Sequence, residues 1–466
     1  ANTTGATNTA VGTESLKANT TGVSNTASGY RSLASNTTGH YNTAMGQVAL
    51  YTNTTGQNNV AFGFKALELS TTASNNTAVG KSALGANTTG TSNSGVGYNA
   101  LLSNTTGSYN IAMGSGALDA NIGGNYNVAL GVSSLGANTT ASNNTAVGYN
   151  TLNANTTGAS NVALGAYALD ANTTANNNTA LGYVALSGNT TGADNTATGS
   201  QSLQFNTTGS SNSAFGRYAL LNNTTASQNT AVGRSALQET TTGANNTGLG
   251  YRALYLNTTG SINTAAGVQA LQNNTTGAQN NAFGYQALDQ NTTGSFNNAF
   301  GVEALEANTE GQYNVAMGDG ALRANTTASF NTALGYAALN DNTTGTQNTG
   351  IGARVLEKNT TGNYNTAAGY FSMANNTTGQ LNSAFGINTL SNNSSGQYNV
   401  AMGYNALVNN TTASNNTAIG TFSSDAITTG ADNTAVGYGT LSAATTASNN
   451  TAVGHAAGNA VTTGIN

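Results

Sequence analysis

Apolar and polar positions alternate along this chain in one short phrase that returns every 17 residues, as in Asn144-Thr-Ala-Val-Gly148-Tyr149-Asn-Thr-Leu152-Asn-Ala-Asn155-Thr-Thr-Gly158-Ala-Ser160. The glycine of its Asn-x-(Ala/Gly)-x-Gly core stands at Gly12, Gly29, Gly46 and Gly63, and the march ends at Gly437 and Gly454, 26 steps of 17 without insertion or deletion. There are thus 27 copies, from Asn8 to Asn466, after a partial copy at 1–7. Numbering each copy from its leading Asn turns every position into a column, because stacked copies lay equal positions over one another. The pattern predicts a mainly β fold, a parallel β-solenoid of β-roll type. Asn-Thr-Ala-Val is its strand, Tyr-x-Ala-Leu-x-x a short outward helical or 3₁₀ turn, and Thr-Thr-Gly the turn leading back.

Each column carries a physical demand. Column 1 is Asn and column 5 Gly in all 27 copies. Stacked Asn forms amide ladders, and an unbroken Gly column implies a positive φ or a backbone approached too closely for a Cβ. Column 9 is Leu in 24 copies, with Met373, Ser424 and Gly458 the exceptions. Column 4 is apolar in most copies (Val11, Met45, Phe62, Leu130, Ile351), and with column 9 it is expected to form the bulky core. The expected structural ladders therefore run through Asn76, Gly80 and Leu84, through Asn144, Gly148 and Leu152, and through Asn229, Gly233 and Leu237. Columns 3 and 8 hold small residues, which marks them as crowded.

Charge sharpens the picture. Of the 25 Lys, Arg, Asp and Glu residues, 22 fall in columns 6, 7, 10 and 11. Those columns share one side of a 3.6-residue period, opposite columns 8, 9 and 12. Strands stack about 4.8 Å apart whereas helices need 8–10 Å, so a helix in every coil would impose strong curvature and a tight turn would not. The eleven columns from 12 through 17 and on to 5 are almost free of charge. A neutral face of that extent marks a contact, and identical chains around a fibre axis are its simplest cover. The sequence is expected to be one repeat array over residues 1–466, with degenerate copies at 421–466, where Ile427, Ala444 and Val461 replace Asn, acting as a cap.

Composition excludes more than it assigns. Charged residues are 5% of the chain and net charge is -5, so there is no basic footprint for nucleic acid. Cysteine is absent, which removes disulfides and thiolate metal sites. No apolar run approaches the roughly 18 residues of a membrane span, so no membrane insertion is expected. His40 and His455 lie in different columns and no column is acidic, so neither a catalytic site, nor a cofactor, nor a repeated calcium cage is expected. The Asn-Thr-Thr segments match the glycosylation sequon, a match that a repeated Asn/Thr turn produces for structural reasons alone. Regular threonines raise ice binding, but adjacent Thr-Thr in a strand points to opposite sides. Column 6 tyrosines, Tyr98, Tyr149, Tyr183 and Tyr251, are candidates for a glycan-contact flank, against the alternative of lateral packing on the next turn.

The Asn-(Thr/Ser)-Ala-(Val/Phe/Ile)-Gly core, as at Asn76–Gly80, Asn212–Gly216 and Asn416–Gly420, resembles the core motif of trimeric autotransporter adhesin heads. Those heads are parallel β-rolls in which three chains pack side by side. The whole unit also resembles the repeat shafts of bacterial surface and phage tail-fibre proteins. The resemblance implies a homotrimeric extracellular or virion fibre whose shaft serves attachment, and the column 6 tyrosines make cell-surface glycan a candidate partner. Two other readings compete with it. One is an end-to-end extracellular filament, and the other a monomeric ice- or glycan-binding solenoid.

Overall fold

The computed structural model describes residues 2–464. It is a parallel β-solenoid whose 27 strands are each three residues long, one per copy. The chain divides into two compact units, Ala1–Ala231 and Val232–Asn466. The first contains β1 (Thr9–Val11) to β13 (Ser213–Phe215), and the second β15 (Thr247–Leu249) to β27 (Thr451–Val453); β14 (Thr230–Val232) lies at the division. Within each unit successive strands pair in parallel and in register, Thr26 on Thr43 and Ala27 on Ala44, or Thr417 on Thr434 and Ala418 on Ala435. The shift between partners is always one copy, so columns are physical columns.

The pairing continues well beyond the strands. Column 2 gives its amide forward, Thr26 to the carbonyl of Asn42 at 2.9 Å, and columns 9, 11 and 13 do the same, as in Leu33 to Ala49 at 2.9 Å and Thr37 to Thr54 at 2.9 Å. Columns 5, 7 and 17 give theirs backward, as in Gly46 to Ser28 at 2.8 Å, Val48 to Tyr30 at 2.9 Å and Tyr41 to Val23 at 3.1 Å. Backbone polar groups of the turns are thereby satisfied by the neighbouring coil, as buried backbone requires.

Two expectations are corrected here. Columns 6 to 11 are not helical; among the described residues there is no helix. They form tight turns closed by bonds such as Ala49 to Gly46 at 3.3 Å and Asn53 to Leu50 at 3.4 Å. A helix is blocked because columns 7 and 9 adopt the left-handed region, Val48 at φ 53° and Leu50 at φ 51°, where an α-helix needs φ near −63°. That sign change also lets columns 8 and 9, adjacent in sequence, both turn inward, as Ala49 and Leu50 do with no exposed surface.

Column 4 is not core. Val11 is 61% exposed and Phe62 52%. A strand sends alternate side chains to opposite faces, and column 3 takes the inner one. Ala27, Ala61 and Ala78 are fully buried, leaving columns 2 and 4 outside. The core is the Leu of column 9 against the Ala of columns 3 and 8. At Gly95, a column 3 glycine, a Cβ would lie 3.4 Å from Leu84 Cγ, so the leucine column leaves room for alanine and nothing larger.

Candidate functional site

The interior holds a polar lattice built from two columns of Asn. Both Asn columns are buried and both close the coil on itself. In the second copy Asn25 and Asn36 each donate Nδ2 to the carbonyl of Gly39, at 2.9 and 3.0 Å. Between copies the two columns behave differently. Column 12 is a side-chain ladder, Asn36 Nδ2 to Asn19 Oδ1 at 2.8 Å and Asn53 Nδ2 to Asn36 Oδ1 at 2.8 Å. In column 1 the side-chain oxygen mainly receives the next backbone amide, Asn76 N to Asn59 Oδ1 at 3.0 Å, Asn93 N to Asn76 Oδ1 at 2.9 Å, and Asn161 N to Asn144 Oδ1 at 2.9 Å. The same bond ties Asn229 to Asn212 at 3.0 Å.

Gly80, Gly148 and Gly233 have φ of 130°, 138° and 128°, and Leu84, Leu152 and Leu237 are fully buried. The sequence pointed to an amide ladder at column 1. The more regular side-chain ladder at column 12 was missed, although Asn recurs there just as visibly before Thr-Thr. In the folded chain the Asn of these Asn-Thr-Thr segments, Asn36, Asn53 and Asn155 among them, is fully buried.

Outside, several charges pair within and between neighbouring copies. Glu14 meets Lys17 at 2.9 Å and Arg31 at 2.5 Å, and hydrogen bonds from Lys17 first and Arg31 second hold its carboxyl below the usual range. Arg323 spans Glu306 at 2.8 Å and Glu303 at 3.2 Å, and the hydrogen bond to Glu306 raises its pKa. This pair borders a shallow depression of about 400 Å³ lined by Gln290, Ala307, Ala324, Asn340 and Asp341. Column 10 aspartates stand apart: burial pushes the carboxyls of Asp119, Asp170, Asp289 and Asp425 up. Among the described residues no three His, Cys, Asp or Glu side chains gather as a metal cage. His40 Nδ1 accepts the Val23 amide at 3.0 Å, and His455 stacks on Tyr438 with ring centres 5.3 Å apart.

The four candidate tyrosines are all exposed, between 39% for Tyr251 and 57% for Tyr183. They do not adjoin one another, since the neighbours of Tyr149 in column 6 are Val132 and Ala166. Three have rings already engaged. Lys81 Nζ sits 5.5 Å from the centre of Tyr98, Arg252 Cζ 5.4 Å from that of Tyr251, and Tyr167 meets Tyr149 edge-on at 5.4 Å. Lys81 and Tyr167 come from neighbouring copies, as lateral packing would require, whereas Arg252 belongs to the same copy as Tyr251. Parallel aromatic stacks lie in column 17, at Tyr109–Tyr126 (5.1 Å) and Phe296–Tyr313–Phe330 (4.7 and 5.1 Å), and in column 4, at Phe283–Phe300 (4.8 Å), with planes within about 5° of parallel. Their spacing is the inter-strand spacing; each ring covers one face of its neighbour, and only Tyr313 is covered on both faces.

No helix among the described residues is long and apolar enough to cross a membrane. Compared with known proteins, the chain matches no family model and no curated protein.

Proposed function

We propose that this chain is the structural shaft of an extracellular or virion fibre, assembled from copies lying side by side and serving attachment. The observation that carries the reading is the hydrogen bonding between successive coils. In each unit a coil is tied to the next through its strand, its turns and two buried Asn columns, which resists bending and local opening. The scarcity of charge outside the turn columns supports self-association, and the adhesin-head resemblance supports a trimer. The work of such a molecule is mechanical; it holds a contact at a distance, and weak glycan contacts at Tyr98, Tyr149, Tyr183 and Tyr251 would act multivalently. No reaction or cofactor enters this reading.

Sedimentation of the purified chain, with negative-stain images and immunogold labelling of the source cells or particles, tests it. The expected result is a stable side-by-side oligomer labelled at the outer surface. A monomer, or label confined to the cell interior, overturns the reading; strands many molecules long replace it with the end-to-end filament.

A further inference from the structure

We propose that the outer strand face, columns 2 and 4, is the interface between copies, its occupant being the same face of a second chain. This rests on the self-association reading above and adds which surface does it. The sequence left eleven neutral columns open; burial narrows them. Columns 12, 15, 1 and 3 point inward, and column 14 is exposed but Thr or Ser except at Gly123 and Glu310, with Thr38, Thr55 and Thr106 as examples. Column 17 is outward as well and carries exposed rings at Tyr109, Tyr126 and Tyr313, but Asn, Ser, Gln and the charged Asp194 and Asp432 interrupt it. Column 4 is outward and apolar with interruptions only at Ser28 and Thr198, as at Phe62 (52% exposed), Met113 (48%) and Leu164 (51%) in the first unit and Met317 (45%) and Ile351 (46%) in the second.

Column 2 beside it is Thr, Ser, Asn or a β-branched aliphatic, and neither column holds a charged residue in any copy. The charges begin at column 6, with Lys81, Arg217 and Arg234. An apolar centre with a polar rim is the anatomy of a protein interface.

Area points the same way. Three residues at about 3.3 Å and a coil spacing of about 4.8 Å give each copy roughly 48 Å² of strand face. The thirteen strands of one unit then offer a footprint of about 620 Å², or about 1,250 Å² counted on both partners, within the range of stable interfaces. Relief selects the occupant. Along column 4 bulk changes from copy to copy, Leu181, Thr198, Phe215 in one run and Ala266, Phe283, Phe300 in another. Knobs and hollows of this kind suit two sheet faces interdigitating about 10 Å apart. A crystalline surface such as ice requires a level array, which column 4 does not provide.

The test compares three forms of the full chain by sedimentation equilibrium. The first is unaltered. The second carries Phe62→Lys, Met113→Lys and Leu164→Lys, and the third carries Thr55→Lys, Thr106→Lys and Thr157→Lys on column 14. All six side chains are outside the core, and circular dichroism checks that each form folds. We expect the unaltered chain and the column 14 variant to associate, and the column 4 variant to weaken association by 100-fold or more. A milder set, Phe62→Ser, Met113→Ser and Leu164→Thr, uses residue types that column 4 already accepts at Ser28 and Thr198. It is expected to weaken association tenfold without touching the fold. Association that survives both column 4 sets, or that column 14 lysines abolish instead, overturns this face while leaving self-association standing. An unaltered chain that stays monomeric removes both ideas, and thermal hysteresis from that monomer gives the face to ice.

Discussion

The side chain of Asn53 shows how one residue holds two coils together and how a missing partner weakens the join. Its Nδ2 donates to Asn36 Oδ1 and to the Gly56 carbonyl, but its own Oδ1 has no partner, because column 12 of the next copy is Ser70, whose hydroxyl is also unpartnered. The same break recurs at Asn410, where Ile427 comes next in the column and the Oδ1 is again orphaned. A buried acceptor left unpaired costs about 1–3 kcal/mol. Ser70→Asn rejoins the ladder on both sides, toward Asn53 and toward Asn87, and is expected to stabilise by about 1–2 kcal/mol in denaturant unfolding. No gain would mean that the join at Ser70 costs the stack nothing.

Asp289 is the converse case, 4% exposed with one carboxylate oxygen unpartnered. Burial raises its pKa first, the Gln290 hydrogen bond opposes, and the negative charge of Glu306 adds to the rise. A folded pKa above the unfolded one means that the folded chain holds the extra proton. This contribution is therefore most favourable below the ordinary aspartate range and is lost as pH rises through the raised folded value. Asp289→Asn is expected to raise the unfolding midpoint at about pH 7 and to leave it nearly unchanged at about pH 3.

At the scale of the coil, two glycine columns look alike in sequence and differ in kind. A Cβ at Gly80 in column 5 would lie 2.4 Å from the Gly97 carbonyl oxygen, and one at Gly90 in column 15 would lie 2.2 Å from that of Gly107. Crowding alone does not separate them, yet seven copies carry Ala in column 15 and none in column 5. The difference is φ: Gly80 stands at 130°, a conformation that a side chain disfavours, whereas Gly90 does not have a positive φ. Gly80→Ala is expected to cost about 3 kcal/mol and Gly90→Ala no more than about 1 kcal/mol, read by hydrogen exchange of the flanking coils. This contrast also marks how much the sequence discloses. Strict recurrence made the period, the strand, the buried Leu and the outward charges legible. It concealed the sign of φ at columns 7 and 9, because residues as unlike as Val48, Lys65, Arg252 and Asn150 all take the left-handed region there. The bond to the neighbouring coil imposes that conformation against intrinsic preference. A turn read as helical draws column 4 into the core, since an apolar residue on a three-residue strand gives no alternation long enough to show its face. The glycan flank stays undecided in sequence for a related reason: Tyr98 and Tyr251 are exposed in either case, and the cations lying over them show only in the structure.

For each unit as a whole, the coil and not the residue is the indivisible quantity. A coil cannot bury its leucine or satisfy its turns alone; Leu84 gives its amide to Ala100 in the following copy, while Ser82 gives its amide to Phe64 in the preceding one. Stability is then the sum of a coil term and a neighbour term repeated along the stack, and the chain tolerates changes in number far better than changes in phase. Removing residues 76–92 deletes one full copy from the first unit and brings Asn93 after Asn75, so every column is restored one step on. The expected product folds with the same circular dichroism, and its denaturant dependence falls only by the share of surface that one coil contributes. Removing 76–83 deletes eight residues and slides column 9 into the place of column 1. Leu84 has no side-chain amide to replace the Asn76 Nδ2 that now donates to Asn59 Oδ1 and to the Gly90 carbonyl, and the displaced Asn87 and Asn93 would leave their own buried columns. Several buried polar groups would be orphaned at about 1–3 kcal/mol each, so hydrogen exchange should show coils on both sides of the junction opening together. If both deletions are tolerated equally, the columns do not set the fold and the stack is held by nonspecific packing; if neither is, the units are bound by something longer in range than a coil and its neighbours.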